Sequence, residues 1–347
     1  MTGTDLPGSD LSLIAIARTI GRLARSGGSV DILPHVRADG DAAGSSLALA
    51  HVVSSLGGHP RVVLEESLDW TLASFPGADS ILVGMPRTEG EENSDHADAA
   101  IMLDCGETTR LGSRAPLFTR AGVRIVLDHH LSSQHTEGLS HIDPSAAAVG
   151  EIIYRLVRLL EEETGRALLS HDMAVCMMGA ILTDTGGFRF SNTTRDTFEI
   201  ASDLMSYGLD IGELSYGLLE SMTVEKYRLT GVASSRAAFH HDGAIAILGI
   251  TRQMLADTGA DENDTNGLAN MLRAIQPVRV ALVLKEGEDG TVRVNIRSKD
   301  GFNSAGFAAL FGGGGHARAA GFHLDGTTMQ DATAMLAEKA GEWLDRA

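Results

Sequence analysis

Four separated stretches of the chain carry imidazole and carboxylate side chains at short spacing. They are His35-Val-Arg-Ala-Asp39-Gly-Asp41, Asp104, Asp128-His129-His130, and Asp184 within Leu-Thr-Asp-Thr-Gly-Gly. Carboxylates gathered in one place repel one another and are costly to desolvate, and divalent cations relieve both problems. A mixture of imidazole and carboxylate without thiolate suits Mn²⁺ or a similar transition metal better than the all-oxygen cage of Ca²⁺. The six candidates His35, Asp39, Asp41, Asp104, His129 and Asp184 suffice for two ions about 3.5–4 Å apart bridged by a carboxylate, the arrangement used for phosphoryl displacement. Taken singly, each stretch has a plainer reading. Asp39-Gly-Asp41 makes a turn and a helix cap, Asp104 an acidic strand end, and Asp-His-His a hydrogen-bonded pair on a loop. Their coincidence in one half of the chain favours the metals. A second pair, His240-His241, is followed by Asp-Gly but follows no strand-end acid, and reads as an exposed hairpin turn.

The elements that must position these residues alternate. Residues 29–34, 61–65, 99–104 and 123–128 are short, nearly continuous apolar runs, as expected of strands covered on both faces. Helical patterns at 42–56, 146–163 and 168–183 separate or follow them, which predicts an α/β layer with a mainly parallel sheet. In such a sheet the carboxyl ends of the strands share one edge, where ligands bind, and three of the four stretches fall at strand ends. The acidic segment 89–98 reads as a solvated loop. Residues 193–236 are almost wholly helical and read as a connector. Beyond them come strand patterns at 243–250, 278–286 and 291–298 and helical patterns at 302–311 and 328–345, with Gly287 to Gly290 forming a hairpin signal. The expected organisation is a catalytic domain at 1–192, a connector at 193–236 and a smaller α+β domain at 237–347.

Composition narrows the function. The chain of 347 residues has 28 basic and 46 acidic side chains, a net charge of −18, which argues against a general binder of long nucleic acid but not against a local site for a small anion. Two cysteines, Cys105 and Cys176, are too few for a disulfide scaffold or a thiolate zinc site and suit a reducing compartment. The polar N-terminus lacks the order of a signal peptide, and no apolar run approaches the length of a membrane span. The expectation is a cytoplasmic protein with no membrane partner.

In order and spacing, His35-x-x-x-Asp39-x-Asp41, Asp104, Asp128-His129-His130 and Asp184 resemble the four motifs of the DHH phosphoesterase superfamily. The stretch Phe311-Gly-Gly-Gly-Gly-His316-Ala-Arg-Ala-Ala-Gly321 resembles the glycine-rich loop of the DHHA1 domain, with Val294-Asn-Ile-Arg297-Ser298 as the strand before it. The combination covers nearly the whole chain and is similar to the nanoRNase/pAp-phosphatase branch, which includes cyclic-di-AMP and linear dinucleotide phosphodiesterases. Where many members have Pro before the first Asp of motif one, this chain has Ala38, a difference in backbone stiffness rather than in ligands.

The resemblance implies two cations, Mn²⁺ first. His35, Asp39 and Asp104 would hold one, and Asp41, Asp104, His129 and Asp184 the other, with Asp104 as the bridge. Asp128 would orient the His129 ring, and His130 would face the scissile phosphate. Asp104, Asp128 and His130 thus form the expected catalytic group, acting with a water that attacks phosphorus in line. The glycines at 312–315, set between apolar segments, read as backbone that approaches an anion closely rather than as a linker. Arg297, Ser298, Gly313, Gly314, Gly315 and His316 are the expected substrate contacts, with the second domain holding the rest of the nucleotide. Arg110, just after Asp104, reads as a structural ion pair in preference to a substrate contact. The expected substrates are short oligoribonucleotides, linear or cyclic dinucleotides and pAp, and the resemblance implies a homodimer. The competing readings are an inorganic pyrophosphatase of the same superfamily, a processive single-strand exonuclease and a non-catalytic nucleotide-binding module.

Overall fold

The computed structural model describes residues 10–85, 96–130, 138–287 and 290–345. Most of the acidic stretch expected as a loop, 89–95, and residues 288–289 of the hairpin signal lie outside them. The chain divides into two compact units, Met1–Ser221 and Met222–Ala347, so the helical stretch 193–236 is shared between them. Among the described residues no helix is long and apolar enough to cross a membrane.

The first unit is built on six parallel strands, β1 (Ser29–Pro34), β2 (His59–Leu64), β3 (Leu82–Val83), β4 (Ala99–Leu103), β5 (Val123–Asp128) and β6 (Leu139–Ile142), in the spatial order β3-β2-β1-β4-β5-β6. The helices are α1 (Asp10–Arg25), α2 (Gly40–Ser55), α3 (Ala115–Arg120), α4 (Val149–Thr164), α5 (His171–Asp184), α6 (Arg195–Met205) and α7 (Ile211–Ser215), with a π-helical turn at Tyr216–Glu220. Alternate side chains enter opposite cores. Val30, Ile32, Ile101, Leu103, Ile125 and Leu127 pack against α1, α2, α4 and α5, while Leu33, Ala100, Met102 and Val126 pack with Leu111 and Phe118 on the other face. This two-sided burial explains the unbroken apolar runs in the sequence. The one charge within β1, Asp31, is buried and accepts from the guanidinium of Arg61, its partner in register on β2, at 2.7 Å.

Helix α2 is buried along most of its length, and its small residues let α5 approach. A Cβ at Gly44 would lie 2.5 Å from the Cys176 carbonyl oxygen, and one at Gly40 would lie 2.4 Å from the Thr183 methyl. The close packing of α2 on α5 brings the amino end of the first beside the carboxyl end of the second.

The second unit is a mixed sheet of β7 (Ala238–His240), β8 (Ile245–Ile250), β9 (Val280–Glu286), β10 (Val292–Ser298), β11 (Gly314–His316) and β12 (Ala319–Leu324), ordered β11-β12-β10-β9-β8-β7 and antiparallel except for β8 with β9. Helices α8 (Val224–Ser234), α9 (Arg252–Thr258) and α10 (Leu268–Ala274) cover one face, and α11 (Ser304–Ala309) and α12 (Met329–Asp345) the other. Exposed His241 opens the tight turn into β8 as expected, but His240 is a half-buried residue of β7, paired with Ile245, and not part of an exposed turn.

Candidate metal centre

In a parallel sheet ordered β3-β2-β1-β4-β5-β6 the order in which strands are added reverses between β1 and β4, and the crevice at the carboxyl ends of strands flanking such a point is a natural ligand site. His35 follows β1, Asp104 follows β4, and Asp128 ends β5 with His129 and His130 beyond it. Asp39 and Asp41 come from the start of α2, where Asp39 is the N-cap and accepts from the Ala42 N–H at 3.0 Å. Asp184 is the last residue of α5.

These side chains converge. The ligand atoms of His35, Asp39 and Asp104 lie within 4.8 Å of one another, as do those of Asp41, His129 and Asp184. Asp104 faces both sets. Its Oδ2 is 3.3 Å from His35 Nε2, and its Oδ1 is 3.5 Å from His129 Nε2. His129 Nε2 lies in turn 3.8 Å from Asp41 Oδ2 and 3.6 Å from Asp184 Oδ2. Asp104 adopts a left-handed backbone at φ 58°, an uncommon state for a side-chain-bearing residue that is found where a site demands it. Its Oδ1 is buried without a hydrogen-bond partner, as a carboxylate oxygen reserved for a cation would be.

The imidazoles are set as metal ligands require. His35 Nδ1 meets the Val36 carbonyl at 2.7 Å and His129 Nδ1 the Ala146 carbonyl at 3.1 Å, so each ring gives its Nδ1 proton to backbone and keeps Nε2 for a metal. Asp41 is anchored by three donors, Val149 N–H at 2.7 Å, Gly150 N–H at 3.0 Å and the Ser45 hydroxyl at 2.8 Å. Two of these are N–H groups of the first turn of α4, which favours a negative charge there.

Without a cation the cluster is electrostatically frustrated. Burial and the charges of Asp104 and Asp184 push the Asp41 carboxyl well above its ordinary range. Burial pushes Asp184 up to about 6, with Asp104 and Asp39 adding to the rise and His129 opposing it. Burial works against a charged His129, yet the close approach of Asp104 and the charges of Asp41, Asp104 and Asp184 raise it to about 10. Asp104 is held low despite its burial, by His129 and His35. In the absence of metal the site borrows protons to balance its carboxylates, and divalent cations would replace them.

Several expectations need correction. Asp128 Oδ1 accepts from the backbone N–H of His129 at 2.7 Å and from the ring Nδ1 of His130 at 2.8 Å. The ring it orients is therefore that of His130, while Ala146 orients His129. The glycine run is not a linker but enters a strand. Gly314 and Gly315 begin β11, an edge strand paired with β12, and a Cβ at Gly313 or Gly315 would lie 2.3 Å from the Gly321 oxygen or 2.5 Å from the Ala319 oxygen. Those two glycines permit close strand approach, while Gly312 and Gly314 face open space. Ser298 is fully buried, its hydroxyl shared with the Phe302 carbonyl and Ser304 at 2.8 Å each, so it braces the loop instead of meeting substrate. Arg297 is half-buried near the end of β10, where burial and the charge of Arg273 lower its pKa, and no carboxylate pairs with it among the described residues. Exposed His316 ends β11. Arg110 is exposed and makes no ion pair among the described residues, against the expectation of a structural one.

The structural guanidinium on that segment is Arg114, which the sequence reading missed. Fully buried, it donates to the Val63 carbonyl at 2.5 Å, the Pro34 carbonyl at 2.9 Å and the Leu111 carbonyl at 3.1 Å, and meets Glu65 at 3.3 Å. It ties the ends of β1 and β2 to the segment after Asp104. Asn192 was also missed. Its side chain donates to the Asp184 and Ala147 carbonyls at 3.1 and 3.0 Å. One signal was available for Ser45, which lies one helical turn beyond Asp41.

A parallel sheet with this two-cluster carboxylate–imidazole edge, followed by a separate mixed-sheet unit, defines a class. Residues 29–181 match the DHH family, N-terminal domain, and residues 243–344 the DHHA1 domain, and the chain belongs to the DHH/DHHA1 phosphoesterase family. Within it, the chain is 32% identical over 326 residues to the bifunctional oligoribonuclease and PAP phosphatase NrnA of Thermus thermophilus, covering 92% of this chain and 91% of the relative. Among solved structures, an exopolyphosphatase-related protein from Bacteroides fragilis is 24% identical with a TM-score of 0.87, covering 97% of each chain. RecJ from Thermus thermophilus in complex with Mn²⁺ shares the fold at a TM-score of 0.57 and 14% identity, over 97% of this chain and 55% of RecJ.

Proposed function

We propose that the protein is a Mn²⁺-dependent phosphohydrolase of short nucleotides, acting on nanoRNA oligoribonucleotides, linear and cyclic dinucleotides such as pApA and cyclic-di-AMP, and pAp. The observation that carries this reading is the placement of Asp104, whose two oxygens face two separate ligand sets. In this reading His35, Asp39 and Asp104 hold one cation, and Asp41, Asp104, His129 and Asp184 the other. The mixed nitrogen and oxygen donors favour Mn²⁺. When bound, such a pair lowers the pKa of a water and neutralises charge on the phosphoryl oxygens.

The chain's own residues supply the rest. Asp128 holds the Nδ1 proton of His130 and so orients that part-exposed ring, which would turn its Nε2 toward a phosphoryl oxygen. A protonated ring donates to the charge that grows there in the transition state, and the Asp128 hydrogen bond keeps the ring protonated to higher pH. Arg297, with no carboxylate partner among the described residues, is suited to a nucleotide phosphate or base edge, with Gly314 and His316 on the neighbouring edge strand. The net charge of −18 disfavours long polyanions and leaves short ones to local cations. Of these substrates, the names of the NrnA relatives point to oligoribonucleotides and PAP.

The test is product analysis with purified protein, Mn²⁺ and a parallel panel of pApA, cyclic-di-AMP, pAp, short oligoribonucleotides and pyrophosphate, repeated with Asp104→Asn. Release of mononucleotides by the wild type alone supports the proposal. Turnover of pyrophosphate only, or binding without turnover, refutes it.

A further inference from the structure

Arg37 and Arg110 stand on adjoining loops at the edge that carries the metal cluster. Arg37 lies between His35 and Asp39, and Val36 donates its N–H to the Arg110 carbonyl at 2.8 Å, joining the loop after β1 to the segment after β4. Arg37 has a left-handed backbone, φ 54°, an uncommon state for a long side chain that tends to mark functional positions. Its N–H donates to Glu66 Oε2 at 3.0 Å, which pins that conformation from the end of β2.

Both arginines are exposed, and neither guanidinium makes an ion pair or hydrogen bond among the described residues. Arg25, Arg61, Arg114, Arg155 and Arg158 of the same unit have carboxylate partners, whereas Arg37 and Arg110, like Arg18 and Arg120, have none among the described residues, and only Arg37 and Arg110 of these four lie on the loops beside the metal cluster. The carboxylates nearby are otherwise engaged. Glu65 holds Ser113 and Arg114, Glu66 holds the Arg37 N–H, and Asp39, its side chain 58% exposed, belongs to the metal cluster. The Arg110 guanidinium is close enough to Cys105, the neighbour of Asp104, to oppose the rise that burial imposes on that thiol.

We propose that Arg37 and Arg110 form a subsite for a phosphomonoester of the substrate other than the phosphate being cleaved. This rests on the phosphohydrolase reading above and deepens it. The cleaved group meets its positive charge at the cations, whereas a terminal phosphate carries a further dianion that a protein of strong negative charge must meet locally. A planar guanidinium matches phosphate geometry and stays charged at every working pH.

The experiment compares kcat/KM with Mn²⁺ for pApA and for ApA, which lacks the terminal phosphate, in wild type, Arg37→Gln, Arg110→Gln and Arg37→Lys. Wild type is expected to prefer pApA. Each glutamine variant is expected to lose about tenfold to a hundredfold on pApA, so that the preference falls toward one, and the lysine variant to recover part of it. A preference that survives both glutamine variants, or an equal loss on both substrates, overturns the subsite. Wild type that cleaves neither substrate refutes the phosphohydrolase reading instead. Calorimetric titration of the two nucleotides into the same Mn²⁺-loaded proteins then decides the subsite by itself, tighter pApA binding in wild type alone supporting it and equal binding overturning it.

Discussion

The carboxylate of Asp128 accepts from the His130 ring at 2.8 Å, while the neighbouring His129 ring turns the other way and gives its Nδ1 proton to the Ala146 carbonyl. Two adjacent histidines are thereby assigned different work by different acceptors. His129 offers Nε2 to the metal cluster, and His130, with its Nδ1 proton held by Asp128, is oriented apart from it. The Asp128 hydrogen bond is the largest cause of the raised pKa of His130. A charged ring is therefore lost as pH rises through that raised value. Asp128→Asn should lower kcat by about a hundredfold or more and move the alkaline fall in activity to lower pH, with Mn²⁺ binding retained. A kcat–pH profile with a parallel metal titration checks this, and an unmoved profile speaks against the assignment.

Metal loading should release protons. His129 is raised to about 10 and Asp184 to about 6 in the cation-free cluster. At pH 7–8 an incoming cation therefore displaces the His129 proton, and below about 6 it must displace the Asp184 proton as well. Affinity for Mn²⁺ should rise with pH, and more steeply on the acid side of 6. Titration calorimetry in buffers of different ionisation enthalpy counts the protons released. A count of zero at pH 7 would show that the ligands are already deprotonated.

The same frustration predicts a stability effect. Cations that bind only the folded state at about a hundredfold over their Kd contribute about 2.7 kcal/mol, and for a unit of this size that corresponds to a melting shift of roughly 5–10 °C. Wild type should show such a shift on adding Mn²⁺ and lose it on chelation. Asp104→Asn, which removes a charge facing both ligand sets, should show little of either.

The strands and the metal-ligand types were legible in the sequence because they are local facts. Buried parallel strands read as apolar runs, and Asp and His at their ends converge by topology. What stayed hidden depends on long-range contacts. No spacing rule joins Arg114 to the Val63 and Pro34 carbonyls some 50 and 80 residues away. Whether Asp128 would serve the first or the second histidine is a matter of ring rotation. The packing role of Gly313 and Gly315 stayed hidden because its cause lies on another strand, where the Gly321 and Ala319 oxygens leave no room for a Cβ. Ser298 looked like a ligand contact from its place in a motif, and only its burial against Ser304 shows its bracing role.

Arg114 yields a stability prediction. Arg114→Ala leaves the Val63, Pro34 and Leu111 carbonyls without their donor in a buried setting and leaves Glu65 without its guanidinium. The loss should be about 3 kcal/mol or more. Arg114→Lys should recover little, because one ammonium cannot span acceptors that a planar fork reaches together. Denaturant unfolding of both variants measures this, and a loss under about 1 kcal/mol for the alanine variant would contradict the bracing role.

Gly44 links packing to the metal site. Helix α2 carries Asp41 and α5 carries Asp184, and the two helices touch where a Cβ at Gly44 would lie 2.5 Å from the Cys176 carbonyl oxygen, a backbone atom that cannot swing aside. Alanine ordinarily favours a helix over glycine by about 1 kcal/mol. Here it must push the helices apart, at a cost of about 1–3 kcal/mol typical of an overfilled core. The separation should also weaken Mn²⁺ binding, since His129 Nε2 is now shared between Asp41 and Asp184 at 3.8 and 3.6 Å. Gly44→Ala should therefore lose melting temperature and metal affinity together. Gly231→Ala, on α8 of the other unit, where a Cβ would meet open space, should lose neither. If Gly44→Ala kept full Mn²⁺ affinity while losing stability, the spacing of these helices would not be what sets the cluster.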